Sequence, residues 1–151
     1  MDTGAVFYEL ARWDASVATY FVVANCLGKS FYMLNIEGIS VIERCGGEEQ
    51  KKRILPDCIQ MKKSICFGLT ELNNGSDATG LKTTAKKVEG GYLINGQKRW
   101  IGNATFADYI VVWAKNVDEG NKIQGFVVEK GSKGLNTNKI EGKFSIRMVQ
   151  K

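Results

Sequence analysis

The chain has no histidine among its 151 residues. That absence removes Ser-His-Asp and Cys-His nucleophile schemes and most zinc sites, and no metal site is expected. Any chemistry then belongs to a carboxylate or to a cofactor. Cysteine is sparse as well. Cys26, Cys45, Cys58 and Cys66 form no C-x-x-C pair and fall short of a disulfide scaffold's density, which points to a reduced intracellular compartment. Long apolar runs are also missing: the longest, residues 17–27, is too short to cross a bilayer and contains Thr19 and Asn25. The N-terminus has no basic start followed by a cleavable apolar core, so no membrane partner is expected.

What is present fits one ordinary globular domain or part of a larger one, at 44% hydrophobic and 25% charged residues. Basic residues exceed acidic ones by five and are spread through turns and strand faces. Their one cluster, Lys51-Lys52-Arg53, reads as a solvated helix face, and no nucleic-acid partner is expected.

Hydrophobic period divides the chain in two. Up to about residue 62 apolar positions recur every three or four residues, at Val6, Leu10, Val17, Phe21 and Ala24, with Asp14 placed to cap a second helix over 15–27. A third helix starts after Gly46-Gly47 with Glu48-Glu49, ends in bases and is expected to stop near Pro56. From Ser64 the period is two, and strands are expected at 64–70, 82–88, 92–94, 97–101, 109–115 and 123–130. The turn signals between them include Gly90-Gly91, Asn95-Gly96 and Asp118-Glu119-Gly120-Asn121. "YLINGQKRW" is the clearest hairpin candidate, because Asn-Gly suits a type I′ turn. The expected class is α+β, a helical part at 1–62 followed by an antiparallel, barrel-like sheet at 63–151.

The stretch "GLTELNNGSDATG" is the first functional signal. A strand ending at Thr70 puts a hydroxyl and backbone N–H groups at the sheet's rim, and the Asn-Asn-Gly-Ser-Asp turn lets a ligand approach the backbone closely. Such a rim suits an anionic or heteroaromatic ligand. Thirty residues on, "QKRWIGN" sets the flat ring of Trp100 beside Gly102, which has no side chain to block access.

Together, "CFGLTELNNGSDATG" and "INGQKRWIGNATFADYIVVWAK" resemble the acyl-CoA dehydrogenase and acyl-CoA oxidase superfamily, whose pattern is T-E-x-x-x-G-S-D followed by N-G-x-K-x-W-I-x-N. "ELARWDASVATYF" and "EEQKKRILP" are similar to its helical part, so the resemblance spans nearly the whole chain. "RWIGNATFAD" and "SIRMVQ" look most like plant-type peroxisomal short-chain acyl-CoA oxidases. "CFGLTE", "VVWA" and "EGKFSIR" are also similar to glutaryl-CoA dehydrogenases. The family's arginine for a distal substrate carboxylate falls at Ala18, against a dicarboxylyl substrate. The residue after W-I, usually a threonine that bonds flavin N5 in dehydrogenases, is Gly102, and that favours the oxidase.

The resemblance implies FAD as cofactor. Phe67, Leu69, Thr70, Gly75 and Ser76 would line it, Ser76 would reach a phosphate-bearing part of FAD or of the acyl-CoA substrate, and Trp100 would pack on the flavin beside Ile101 and Gly102. It further implies α-proton abstraction by a carboxylate and β-hydride transfer to the flavin, giving a trans-2-enoyl-CoA. Electrons would pass to O₂ in an oxidase of the peroxisome, or to an electron-transfer flavoprotein in a dehydrogenase of the mitochondrial matrix. The family's catalytic glutamate and C-terminal helical bundle would fall beyond Lys151, leaving no catalytic residue in this stretch, and Glu71 does not match the position of a base. The full-length protein would be a homo-oligomer. Against related spacing, residues 31–40, "FYMLNIEGIS", read as a ten-residue insertion. A truncated, non-catalytic paralogue is the third reading.

Overall fold

The change of period near residue 64 is where helices give way to strands. The computed structural model describes residues 3–14, 36–60, 62–144 and 149–150. Helix α1 spans Thr3–Trp13, α2 Ile36–Cys45 and α3 Glu48–Ile59. The helix expected over 15–27 and residues 31–35 of the expected insertion lie outside the described residues, while residues 36–40 form the first half of α2.

Gly47 caps α3, and its N–H donates to the Gln50 side-chain oxygen at 3.0 Å. Glu48 and Glu49 follow in the first turn, where the helix dipole favours acids. The helix does not stop at Pro56 as expected, but runs through it to Ile59. A proline removes one ladder donor, and the ladder resumes at once, with the Gln60 N–H donating to the Pro56 carbonyl at 3.1 Å. Ile54 and Cys58, one turn apart on either side of the proline, are both buried and hold the last turn on the core.

The sheet is organised around β5 (Tyr109–Asn116). Strand β6 (Lys122–Glu129) pairs antiparallel along its whole length, from Tyr109↔Glu129 to Asn116↔Lys122. On the other side β5 is shared: β1 (Ile65–Gly68) pairs parallel with residues 109–112, and β2 (Thr84–Val88) pairs parallel with Lys115 and Asn116. Strand β3 (Gly91–Asn95) adds antiparallel to β2, and β4 (Ile101–Gly102) pairs with β7 (Val149–Gln150) in a separate ladder. The α+β class is as expected, and the main sheet is open, with parallel joints where β1 and β2 meet β5. The strand expected at 97–101 begins only at Ile101.

Alternate residues of β1 and β5 feed two cores. Ile65, Tyr109 and Val111 pack with Ile42, Ile54 and Cys58 under α2 and α3. Cys66, Ile110 and Val112 pack on the opposite face with Ile101, Ala104 and Ala107. Gly38 of α2 lies so close to β1 that a Cβ there would stand 2.7 Å from Ile65 Cγ1.

The hairpin expected at Asn95-Gly96 is not formed; it closes one loop earlier, where Val88↔Gly91 leaves Glu89 and Gly90 as the two-residue turn, Gly90 at φ 79°. Asn95 instead ends the ladder opposite Thr84. The glycine at 96 answers to packing, since a Cβ there would lie 2.3 Å from Thr83 Oγ1 and 2.6 Å from Thr83 Cβ. Gly96→Asn, which a type I′ turn would tolerate, is therefore expected to lower stability as much as Gly96→Ala, by about 1–3 kcal/mol. Urea unfolding midpoints of the two variants check this, and an Asn variant as stable as the native chain contradicts the packing explanation.

Candidate functional site

Where β1 ends at Gly68, the chain leaves the sheet until β2 begins at Thr84, and Glu71 occupies the break. It is buried, at 7% exposure, and its carboxylate accepts from the Lys82 N–H at 2.7 Å, the Thr83 N–H at 2.9 Å, the Thr83 hydroxyl and Lys98 Nζ at 2.9 Å. Burial alone would raise the carboxyl pKa, but the bonds from Thr83, Lys82 and Lys98 outweigh it and bring it down from 4.5 to about 2. Lys98 is held below its ordinary value by burial, which outweighs the pull of Glu71. Two carboxylate oxygens offer about four lone-pair sites. Three of the four bonds fall on Oε1 and one on Oε2, so Glu71 is an anion tied on both oxygens.

Lys98 joins this anion to the segment that carries Trp100. Its Nζ also donates to the Leu69 carbonyl at 3.0 Å, and the next residue's N–H, that of Arg99, donates to the Thr70 carbonyl at 2.8 Å. Two consecutive residues of one segment are thereby sewn to two consecutive residues of the other, and Trp100 stands next to Thr70's strand end. Trp100 has φ 63°, a left-handed conformation that costs a bulky residue on the order of 1–3 kcal/mol and persists only where its surroundings over-determine it. Those surroundings are the Arg99–Thr70 bond before it and Ile101 after it, whose side chain is buried in the second core. The indole remains 48% exposed, with the Arg99 guanidinium 4.5 Å and Lys143 Nζ 5.7 Å from the ring centroid.

The remaining expected site residues are placed as follows. Phe67 sits edge-on to Trp113, with ring centroids 6.0 Å apart. Gly75 and Ser76 lie exposed on the turn beyond Glu71, whose N–H donates to the Asn74 carbonyl at 3.1 Å. Asp77 then caps a 3-10 turn, Ala78–Gly80, accepting from the Gly80 N–H at 3.0 Å. No atom of the described residues lies within 4 Å of a Cβ built at Gly75 or Gly102, so both are open. Leu69, Thr70 and Trp100 are brought together, whereas Ile101 offers the rim only its backbone. Arg99, Lys98, Thr83 and Lys143 were missed from sequence. Only the lysine of N-G-x-K-x-W carried a signal, and nothing in a lone lysine announces burial.

A planar ring left half exposed, two open glycines, two cations and the hydroxyls of Thr70 and Ser76 suit a ligand with a flat heteroaromatic part and an anionic part. The buried side-chain oxygen of Asn74 in the turn has no hydrogen-bond partner among the described residues.

The sequence pattern of the family described as "Acyl-CoA dehydrogenase, middle domain" matches residues 66–151. The chain is 47% identical over 104 residues to a probable acyl-CoA dehydrogenase of Bacillus subtilis, covering 68% of this chain and 17% of that one. It is 35% identical over 136 residues to the mitochondrial isobutyryl-CoA dehydrogenase of Bos taurus, covering 89% of this chain and 33% of that one. A crystal structure of a glutaryl-CoA dehydrogenase from Mycobacterium smegmatis in complex with FADH2 superposes with a TM-score of 0.70 at 33% identity, over 89% of this chain and 35% of that one. The chain thus spans a third or less of the length of these two curated relatives.

Because Glu71 is ionised in the fold with a depressed pKa, its stabilisation is complete above its ordinary value of 4.5 and is lost as pH falls towards about 2. Denaturant midpoints of the native chain should decline through that window, and Glu71→Gln should be less stable at neutral pH with a flatter acid limb. Lys98→Met, which leaves the buried carboxylate unpaired, should cost roughly 3–5 kcal/mol at neutral pH.

Proposed function

The chain belongs to the acyl-CoA dehydrogenase family, and from that premise we propose that residues 63–151 are the flavin-binding middle domain of an enzyme that oxidises an acyl-CoA to a trans-2-enoyl-CoA. The observation that carries this is the sewn rim, where the Arg99–Thr70 bond sets the T-E-x-x-x-G-S-D turn and the Trp100 segment side by side. FAD fits the residues present. Trp100 and Phe67 would flank the ring system, Leu69 and Thr70 would meet its polar edge, Gly75 and Ser76 would receive the phosphates, and Gly102 would leave one side of the ring open. Bound there, FAD supplies the two-electron acceptor for oxidation of the thioester's α–β bond. The chain's own part is to hold the ring plane against Trp100, keep Glu71 from acting as a base, and present cations to an anionic ligand.

The finer reading is a dehydrogenase that hands its electrons to an electron-transfer flavoprotein in the mitochondrion. It is supported by relatives named as acyl-CoA and isobutyryl-CoA dehydrogenases, the latter mitochondrial. This displaces the peroxisomal oxidase that the resemblance placed first. The oxidase, with O₂ as acceptor, keeps one observation in its favour: the open space at Gly102, where O₂ could approach the flavin edge. The acyl-CoA partner and the homo-oligomer belong to the same proposal.

Titration of the chain with FAD, followed by quenching of flavin fluorescence, tests the flavin platform. Native chain should bind, and Trp100→Ala should weaken binding at least tenfold. No binding by the native chain overturns the reading. Stopped-flow reoxidation of the reduced, flavin-loaded protein separates its two forms: slow reaction with O₂ is expected, rapid peroxide formation favours the oxidase, and Gly102→Thr should then slow it.

A further inference from the structure

Trp100 is held in a left-handed conformation at the end of a segment that, among the described residues, has no strand partner of its own until Ile101. What spans that segment is Lys98. Its ammonium reaches both the Leu69 carbonyl and the Glu71 carboxylate, and its Cγ lies 3.7 Å from the position of a Cβ built on Gly68. One side chain therefore tracks the exit of β1 over four residues, and the Arg99 N–H takes the one carbonyl between, that of Thr70. Glu71 in turn is fixed to the start of β2 by the backbone of Lys82 and Thr83. The path from the β2 start to the indole is thus continuous: Thr83, Glu71, Lys98, the Arg99–Thr70 bond, Trp100.

Resting on the flavin reading above, we infer that the buried Glu71–Lys98 ion pair is a positioning device that sets the presentation of Trp100 and through it the affinity for the flavin, without touching the ligand. A pair that served the fold alone would give a different result when both charges are removed together. Neutralising both partners leaves no uncompensated buried charge, which removes the larger cost, while the amide's single oxygen can serve only one of the Lys82 and Thr83 sides. The neutral pair, however, no longer ties the Leu69 carbonyl and Glu71 to the Trp100 segment through an ammonium.

The test uses the full chain in a Trp13→Phe, Trp113→Phe background, so that indole emission reports Trp100, with four forms: the native pair, Glu71→Gln, Lys98→Met and the double variant. Thermal midpoint, acrylamide quenching of Trp100 and FAD affinity are measured on each. The expected result is that the double variant recovers part of the thermal midpoint lost by Lys98→Met, yet binds FAD at least tenfold more weakly than the native pair and shows altered quenching of Trp100. Recovery of midpoint, quenching and FAD affinity together overturns the inference, as does a Lys98→Met variant that binds FAD within twofold of the native pair. If Lys98→Met does not fold, the double variant alone decides. If the native pair binds no FAD, the flavin reading fails, and Trp100 quenching still judges the device: unchanged quenching in the double variant removes it.

Discussion

A strand edge with a gap in it leaves backbone N–H groups without partners, and the carboxylate of Glu71 fills such a gap. Strand β1 covers β5 only as far as Val112, and β2 takes over at Lys115. The Lys82 and Thr83 N–H groups, on the approach to β2, turn to a side chain for acceptors. A buried N–H left unmade costs about 1–3 kcal/mol, so the anion does there what a neighbouring strand would otherwise do. An anion at this depth needs a counter-charge, and Lys98 supplies it from a third segment. The loop between β1 and β2 and the approach to β4 are consequently fixed by one another.

That mutual fixing matters because β1 is anchored in both cores, through Ile65 and Cys66, whereas the Trp100 segment is anchored through Ile101 in the second. Ile65 of β1 belongs to the core beneath α2 and α3, while Cys66 and Ile101 belong to the core on the opposite face. Neither core by itself specifies how Trp100 sits, since the residue is exposed and its φ of 63° is one a bulky side chain avoids. The Lys98 bonds and the Arg99–Thr70 bond connect the two anchored parts where the strain is held. Strain of this kind persists only in rigid surroundings, and the rigidity here is hydrogen-bonded before Trp100 and apolar after it, at Ile101.

Much of the fold was legible. The change from period 3.6 to period 2 placed β1, β2, β3, β5 and β6 to within two residues at each end, because each of those strands carries its own alternation or apolar run. Pro56 and Asn95-Gly96 misled for a common reason: a local rule gave way to tertiary packing. Ile54 and Cys58 hold α3 past the proline, and Thr83 occupies the space beside Gly96. At the site, the T-E turn and Trp100 stood out as motifs, but the job of Glu71 did not. Its partners lie 11, 12 and 27 positions away, and no spacing rule links a carboxylate to backbone donors across a loop. Sequence pointed to the T-E turn, whereas only the fold shows what Glu71 is bonded to.

The glycines separate what the fold requires from what a ligand requires. At Gly38, Gly80 and Gly96 an added Cβ would stand within 3.0 Å of a neighbour's side chain, so packing or a turn cap explains each of them. Gly102 differs. Its φ is not positive, no described atom lies within 4 Å of a built Cβ, and its strand neighbour Ile101 is firmly in the core. Among the described residues nothing would obstruct a threonine there, and as a β-branched residue it would suit a strand better than glycine does. Stability therefore does not account for a bare backbone beside Trp100. The remaining constraint lies on the open side, where the Arg99 guanidinium and Lys143 Nζ stand over the ring of Trp100.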